Sequence, residues 1–201
     1  MIDAASPTHS PILRRLRDAT RPEHDAIEST LGLMGESLTA DAYLHTLQRF
    51  YGYYRPVEEA IRAVGGWSGR GLDLGERQKT PLLDSDLRAL GVDAPEWLPL
   101  CHQLPRIDSI ASAFGGLYVM EGATLGGRFI SRHIGETLGV TPETGGGFFH
   151  GYGERTGAMW QSFRTELATF ATTQDTQDQV ADAAVRTFRT LRAWFERGNS
   201  A

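Results

Sequence analysis

The chain has 201 residues, 40% of them hydrophobic and 22% charged, a composition typical of one large globular domain and not of a disordered chain. A formal net charge of −5 at pH 7 excludes the excess of basic side chains that nonspecific nucleic-acid binding requires. Because Cys101 is the single cysteine, the chain forms neither an internal disulfide nor a cysteine-based metal cluster.

Apolar residues recur at spacings of three and four along most of the chain, which predicts an all-α fold. In chain order, the predicted helices are Pro11–Leu31, Thr39–Val64, Thr80–Leu90, Asp108–Leu138, 154–171 and 176–197. The run Thr20, Arg21, Pro22, Glu23 fits a capping box with proline in the first turn, so it favours a kink or a new start inside the first helix. Glycine-rich segments and prolines separate the helices.

No linker divides these helices, so residues 1–201 are predicted to form a single domain, with flexible ends at 1–10 and 197–201. The N-terminus lacks the pattern of a signal peptide, and no apolar run approaches the about 18 residues of a membrane span. We therefore expect a cytoplasmic protein that has neither a membrane nor a nucleic acid as a partner.

The fourth predicted helix contains the unusual segment FGGLYVMEGATLGGRFISRHIGETLG. Each interior glycine disfavours a helix by about 0.8–1 kcal/mol relative to alanine, so something must offset the glycines between Gly115 and Gly127. Gly115, Gly122 and Gly126 are spaced by seven and four and share one helix face. Bare backbone on that face would let a flat ligand approach closely. Tight helix packing through small residues, or a kink, is the alternative explanation.

His24 lies in the apolar stripe of the first predicted helix. Glu28 follows one turn later, where its carboxylate can accept a ring N–H and fix the tautomer that a metal-binding histidine needs. The alternative is a core histidine whose nitrogens are satisfied by hydrogen bonds. Since the other histidines show no multi-ligand metal spacing, a single-histidine site of the kind that binds haem is favoured.

Two segments in this order, LRDATRPEHDAIES and GGLYVMEGATLGGRFI, resemble the bacterial haem (heme) oxygenases, most closely the branch found beside bacteriophytochromes. The resemblance extends from about Ile12 to Phe195. It implies a helical bundle that holds haem between a proximal helix and a glycine-rich distal helix. By this similarity His24 is the proximal iron ligand, Glu28 supports it, and the distal face is formed by Gly122, Gly126 and Gly127.

The resemblance also implies an activity: the oxidative cleavage of haem, which is both cofactor and substrate, to biliverdin, carbon monoxide and ferrous iron. Dioxygen is the oxidant, the electrons come from an external reductase or ferredoxin, and a bacteriophytochrome is a candidate receiver of biliverdin. Ala123 departs from the pattern, because the animal enzymes hold an aspartate there that orients proton-delivering water. Thr124, backbone carbonyls or water held elsewhere are the alternatives for that role.

Arginines on facing helices are expected to hold the two haem propionates. Arg164 is the best positional match to a propionate contact of the family, and Arg128 is the second candidate. Three other hypotheses stay open at this stage. These are a noncatalytic haem-binding or carrier protein on the same fold, a haem-free relative in which His24 is a core residue, and an interaction module with glycine-mediated helix packing.

Overall fold

The computed structural model describes residues 10–35 and 37–198, and within them it contains helices and no strands, so the all-α prediction is confirmed. The α-helices are α1 (Pro11–Leu31), α2 (Ala40–Ala63), α3 (Thr80–Ala89), α4 (Ile110–Leu138), α5 (Gly147–His150), α6 (Thr156–Phe170) and α7 (Gln174–Gly198). Short 3₁₀ turns lie at Pro95–Trp97 and Gly153–Arg155, and a π turn lies at Pro142–Gly146. In this part of the chain no helix has the length and apolarity needed to cross a membrane.

The predicted boundaries lie close to the observed ones, with two differences. The short helix α5 falls in a segment that was predicted to be a glycine-rich loop. Of the ends predicted to be flexible, residues 1–9 and 199–201 lie outside the described residues, and α7 continues to Gly198.

The expectation of a new helix start at Pro22 is wrong, because α1 continues through Pro22, and the expected kink stays a prediction. The predicted capping residues make other contacts. The Thr20 hydroxyl donates to the Leu16 carbonyl at 2.8 Å, and the Glu23 carboxylate accepts from Arg189 of α7 at 2.7 Å. These contacts with the preceding turn and with α7 hold the helix together where proline removes one backbone donor. The helix ends at Gly32, whose φ of 59° is the left-handed conformation that glycine adopts most readily.

Helices α4 and α7 are in close contact at Gly115. A Cβ atom added to Gly115 would lie 2.6 Å from both the Ala183 Cβ atom and the Val180 carbonyl oxygen. These distances are shorter than any ordinary van der Waals contact, so only glycine fits there without a shift of α7. Tight packing, one of the two explanations for the glycines, therefore accounts for Gly115.

Helix α2 carries much of the buried core and is tied to its neighbours by two tyrosines. The buried Tyr53 donates to the Thr187 carbonyl of α7 at 2.8 Å, and the buried Tyr43 donates to the Gly145 carbonyl at 2.7 Å. Because a buried phenol needs a hydrogen-bond partner, these contacts fix how α2 sits between α7 and the segment before α5.

Alanine substitutions at Gly115 and at Gly122, on the same face of α4, should change the free energy of unfolding in opposite directions. We expect Gly115→Ala to lower the free energy of unfolding by up to about 2 kcal/mol, because overpacking costs about 1–3 kcal/mol and alanine's better helix propensity offsets about 1 kcal/mol. Gly122→Ala, whose added Cβ meets nothing within 4 Å, should stabilise the ligand-free protein by up to about 1 kcal/mol. Urea denaturation of both variants tests this. Equal effects would contradict the assigned close contact.

Candidate functional site

A cavity of about 550 Å³ opens between α1, α4 and α7 and extends toward α2 and α5. Its volume lies within the range of about 300–1,000 Å³ that is typical of small-molecule sites. Most lining residues are aliphatic or aromatic. The apolar and aromatic ones are Ile27, Leu31, Phe50, Tyr54, Tyr118, Val119, Met120, Leu125, Phe129, Ile130, Phe148, Phe149, Trp160, Phe188 and Leu191. Such a wall suits a large, flat, mainly apolar ligand.

Gly122 and Gly126 form part of the α4 wall of this cavity. A Cβ atom added to either residue would meet nothing within 4 Å. Helix α4 continues without interruption through both glycines. Bare helical backbone therefore faces the cavity at both positions, and a flat ligand can approach it closely.

Gly127 is placed differently from Gly122 and Gly126, and its part in the distal face stays a prediction. A Cβ atom added to Gly127 would lie 2.5 Å from the Phe149 carbonyl oxygen, and Gly127 does not line the cavity. It lies one residue after Gly126, which turns it about 100° around the helix and toward α5. Gly127 is thus a packing glycine that lets α5 sit directly against α4.

His24 lies on the α1 side of the cavity. Its side chain is 54% exposed, so the alternative of a buried core histidine is wrong. The ring meets Phe188 of α7 edge-on, with 5.9 Å between ring centroids. Its Nδ1 atom lies 3.6 Å from the Glu28 Oε2 atom, which is longer than a hydrogen bond. Both side chains are exposed, so rotation of either can close this gap.

The two arginines predicted to hold propionates do not line the cavity. The half-buried Arg164 donates to the Gln161 side chain on its own helix, α6. Arg128 is exposed on α4. Their contact with a ligand's carboxylates stays a prediction.

Sequence analysis missed a buried charge cluster next to the cavity, formed by Glu58, Arg77, Lys79, Glu121 and Tyr152. Glu121 accepts hydrogen bonds from Arg77 at 2.6 Å and from the Tyr152 phenol at 2.5 Å. The Lys79 Nζ atom lies 3.7 Å from Glu121 Oε1 and 3.5 Å from the centre of the Tyr152 ring. Glu58 accepts from the Lys79 backbone N–H at 2.5 Å. Two cations and two carboxyl groups are thus enclosed together.

Lys79 is the one Lys or Arg among the described residues that line the cavity. It is only 1% exposed, and burial lowers its pKa to about 8, although Glu121 and Glu58 oppose that shift. Burial also raises the pKa of the Glu58 carboxyl. The sequence held one signal that could have revealed this residue: Lys79 is the only lysine of the chain, whereas arginine occupies every other basic position.

The side chains beside Gly122 bring no free proton donor to the α4 wall. Ala123 lines the cavity with a methyl group. Thr124 also lines it, but its hydroxyl donates to the Glu121 carbonyl at 2.6 Å. The Thr124 alternative for proton delivery therefore has its hydrogen already engaged within the helix.

Comparisons with known proteins agree on one family. The family model described as "Heme oxygenase" matches residues 10–197. A protein from Xanthomonas campestris pv. campestris (strain 8004) that is named "Heme oxygenase" is 35% identical over 103 residues, 48% of this chain and 55% of that protein. The matched region thus spans about half the length of this relative.

Solved structures of similar fold come from the same family. The NO- and CO-bound heme oxygenase from Neisseria meningitidis superposes with a TM-score of 0.75 at 17% identity, over 93% of this chain and 91% of the other. The heme oxygenase from Leptospira interrogans gives a TM-score of 0.73 at 19% identity, over 92% of this chain and 98% of the other. At these identities the structures show a shared fold.

The buried charge cluster predicts a strong response to Glu121→Gln. This change keeps the side-chain volume but leaves Arg77 and Lys79 with less compensating negative charge, so we expect a loss of about 3 kcal/mol in the free energy of unfolding. Urea denaturation at neutral pH measures it. Glu136→Gln is the matched control on the same helix, because its pair with Arg132 is exposed, and we expect no measurable change there. Equal stability of the two variants would show that the cluster is not electrostatically coupled.

Proposed function

Because this chain belongs to the haem oxygenase family, we propose that it cleaves haem oxidatively to biliverdin, carbon monoxide and ferrous iron. The observation that carries the proposal is that two different features line opposite sides of one cavity. An accessible imidazole lies on the α1 side, and bare helical backbone at Gly122 and Gly126 lies on the α4 side. A flat macrocycle that carries a metal ion is the ligand that can use both walls.

The chemistry of the lining supports haem as that ligand. The apolar and aromatic side chains suit the porphyrin ring, and His24 is the one histidine among the described lining residues. His24 would hold the iron, and the iron would supply the site at which dioxygen binds. Two apolar side chains on α4, Leu125 (39% exposed) and Phe129 (74% exposed), are uncovered next to this wall. Exposed apolar surface of this kind is covered when a hydrophobic ligand binds.

We assign iron binding to His24 through its Nε2 atom, because Nδ1 faces Glu28. A carboxylate that accepts the Nδ1 hydrogen fixes the tautomer and makes the imidazole a better electron donor. Gly122 and Gly126 keep side chains away from the α4 face, so the ring can lie against the helix. Haem itself supplies the iron that binds dioxygen and the ring carbon that is oxidised.

The remaining partners of this proposal rest on the family resemblance. An external reductase or ferredoxin supplies the electrons, and the reaction takes place in the cytoplasm. Arg164 and Arg128 are the proposed propionate contacts, although each would have to reach the propionates from outside the cavity wall. A bacteriophytochrome is the proposed receiver of biliverdin.

One experiment tests both binding and turnover. Haemin is titrated into the protein while the Soret band is followed, and ascorbate or a reductase is then added in air. Stoichiometric binding, loss of the Soret band and the appearance of biliverdin on chromatography support the proposal. A stable haem complex without biliverdin would identify a haem carrier, and the absence of saturable binding would overturn haem as the ligand.

His24→Ala should remove the histidine-ligated haem spectrum without unfolding the chain, because a half-exposed side chain contributes little to the core. Added imidazole should restore much of that spectrum by entering the space left by the ring. Absorption spectra of the ferric complex and circular dichroism provide the two measurements. His102→Ala is the control, since His102 is exposed and does not line the cavity. An unchanged spectrum in His24→Ala would refute the assigned ligand.

Gly126→Leu should weaken haem binding by at least about tenfold, which corresponds to about 1.4 kcal/mol, because the new side chain occupies the α4 face. Fluorescence quenching by haemin gives the dissociation constant. Gly157→Leu is the control, because its side chain also enters open space but on α6, away from the cavity lining. Equal haem affinity in the two variants would disprove close approach of the ring to α4.

A further inference from the structure

The placement of lysine in this protein is unusual. The chain has 19 arginines and one lysine, yet the side chain of that lysine, Lys79, is among the most deeply buried of all. Lysine is normally found on the surface, where its charge is hydrated. Any role of a permanent positive charge could have been filled by arginine, which this chain uses everywhere else. The single lysine therefore indicates that position 79 requires a property that lysine has and arginine lacks.

Lysine differs from arginine in that it can release its proton under physiological conditions. The arginine pKa lies above about 12, so arginine stays charged in proteins, whereas a buried lysine titrates at lower pH. At Lys79, burial moves the pKa to about 8. A group whose pKa lies near the working pH is well suited to proton transfer. The charge of Arg77, which is 5% exposed, favours loss of the proton, while Glu121 and Glu58 favour its retention.

The ammonium group lies against Glu121 of α4, beside the cavity that Lys79 helps to line. Lys79 lines the cavity, and its Nζ atom is held by the Arg77 carbonyl at 3.3 Å and lies 3.7 Å from Glu121. Glu121 immediately precedes Gly122 on α4. The cation is thus anchored beside the bare backbone where Ala123 provides no polar side chain.

We propose that Lys79 is the side chain that supplies protons on the dioxygen-binding side of haem, a role that the neighbouring Ala123 cannot fill. This inference rests on the proposed function and extends it. Lys79 acts directly across the cavity or through one ordered water molecule.

The proton balance is simple. An Nζ–H bond of the ammonium breaks, the proton passes to an oxygen atom of the substrate dioxygen, and the electron pair stays on Nζ as a neutral amine. The electrons that reduce dioxygen come from the external donor. A proton from solvent then restores the ammonium, and Tyr152, which is half-buried and donates to Glu121, is the cluster member through which we expect it to enter.

The unique lysine permits a test that does not depend on turnover. Protein labelled with ¹³C at lysine Cε gives a single side-chain signal, whose shift against pH measures the Lys79 pKa in the ligand-free protein. We expect a pKa near 8, below the usual lysine range. Ferric haem should broaden this signal strongly, and diamagnetic zinc protoporphyrin should not, because relaxation by iron falls steeply with distance. A signal that both complexes leave equally sharp would overturn the proposal.

Two variants separate a proton donor from a structural cation. Lys79→Met removes the charge and the donor, and biliverdin formation should fall by at least about tenfold. Lys79→Arg keeps the charge and donors but cannot release a proton near neutral pH, so it should rescue stability and haem binding but not the rate of biliverdin formation.

In the wild type, the rate of biliverdin formation should fall as pH rises through the Lys79 pKa, and neither variant should show this fall. Arg106→Met, which removes a charge that is exposed and away from the cavity lining, should follow the wild-type pH profile.

The outcomes distinguish failure of the Lys79 proposal from failure of the proposed haem cleavage. If the wild type makes biliverdin and Lys79→Met does so at the same rate with the same pH profile, the Lys79 proposal fails and the proposed function stands. If Lys79→Arg restores the full wild-type rate, Lys79 is a structural cation and the proposal fails as well. If the wild type binds no haem, both fail together.

Discussion

The cavity depends on one constraint, the close contact of α4 and α7 at Gly115. That contact sets the separation of the two helices at one end, where the Ala183 Cβ atom and the Val180 carbonyl occupy the space that a side chain would need. Further along the same face of α4, Gly122 and Gly126 have no neighbour within 4 Å. Phe188 and Leu191 of α7 also line the cavity. The glycines on one face of α4 thus allow tight packing at one end and line the cavity at the other.

Because glycines on one helix face serve both for packing and for lining the cavity, the sequence could predict the site only in part. The periodicity of apolar residues and the glycine at each helix end specify the helices well, because both are local signals. Spacing also identified the face shared by Gly115, Gly122 and Gly126. It could not tell which glycine packs and which faces a ligand, since that depends on where α7 and α5 pass. The sequence grouped Gly127 with Gly122 and Gly126 for this reason, and only the fold shows the Phe149 carbonyl against it.

Two errors have the same physical origin. Thr20 and Glu23 fit a local capping pattern at Pro22, but tertiary contacts with α7 override it and the helix continues. The buried charge cluster joins Glu58, Arg77, Glu121 and Tyr152, which are far apart in the sequence and show no motif. Long-range electrostatic partners are specified by packing, so a sequence pattern can at most reveal an odd residue, here the single lysine.

The cluster also shows why a buried charge is retained beside an otherwise apolar cavity. An apolar replacement of similar volume would avoid the desolvation cost that ionic groups incur in the interior. Arg77 alone already gives Glu121 a close ion pair at 2.6 Å, so a second cation at 3.7 Å is not needed to neutralise that carboxylate. Its charge adds to the positive charge of Arg77, which favours release of a proton. A cation that Glu121 does not need as its close partner, that is titratable and that lines the cavity fits a role in proton movement.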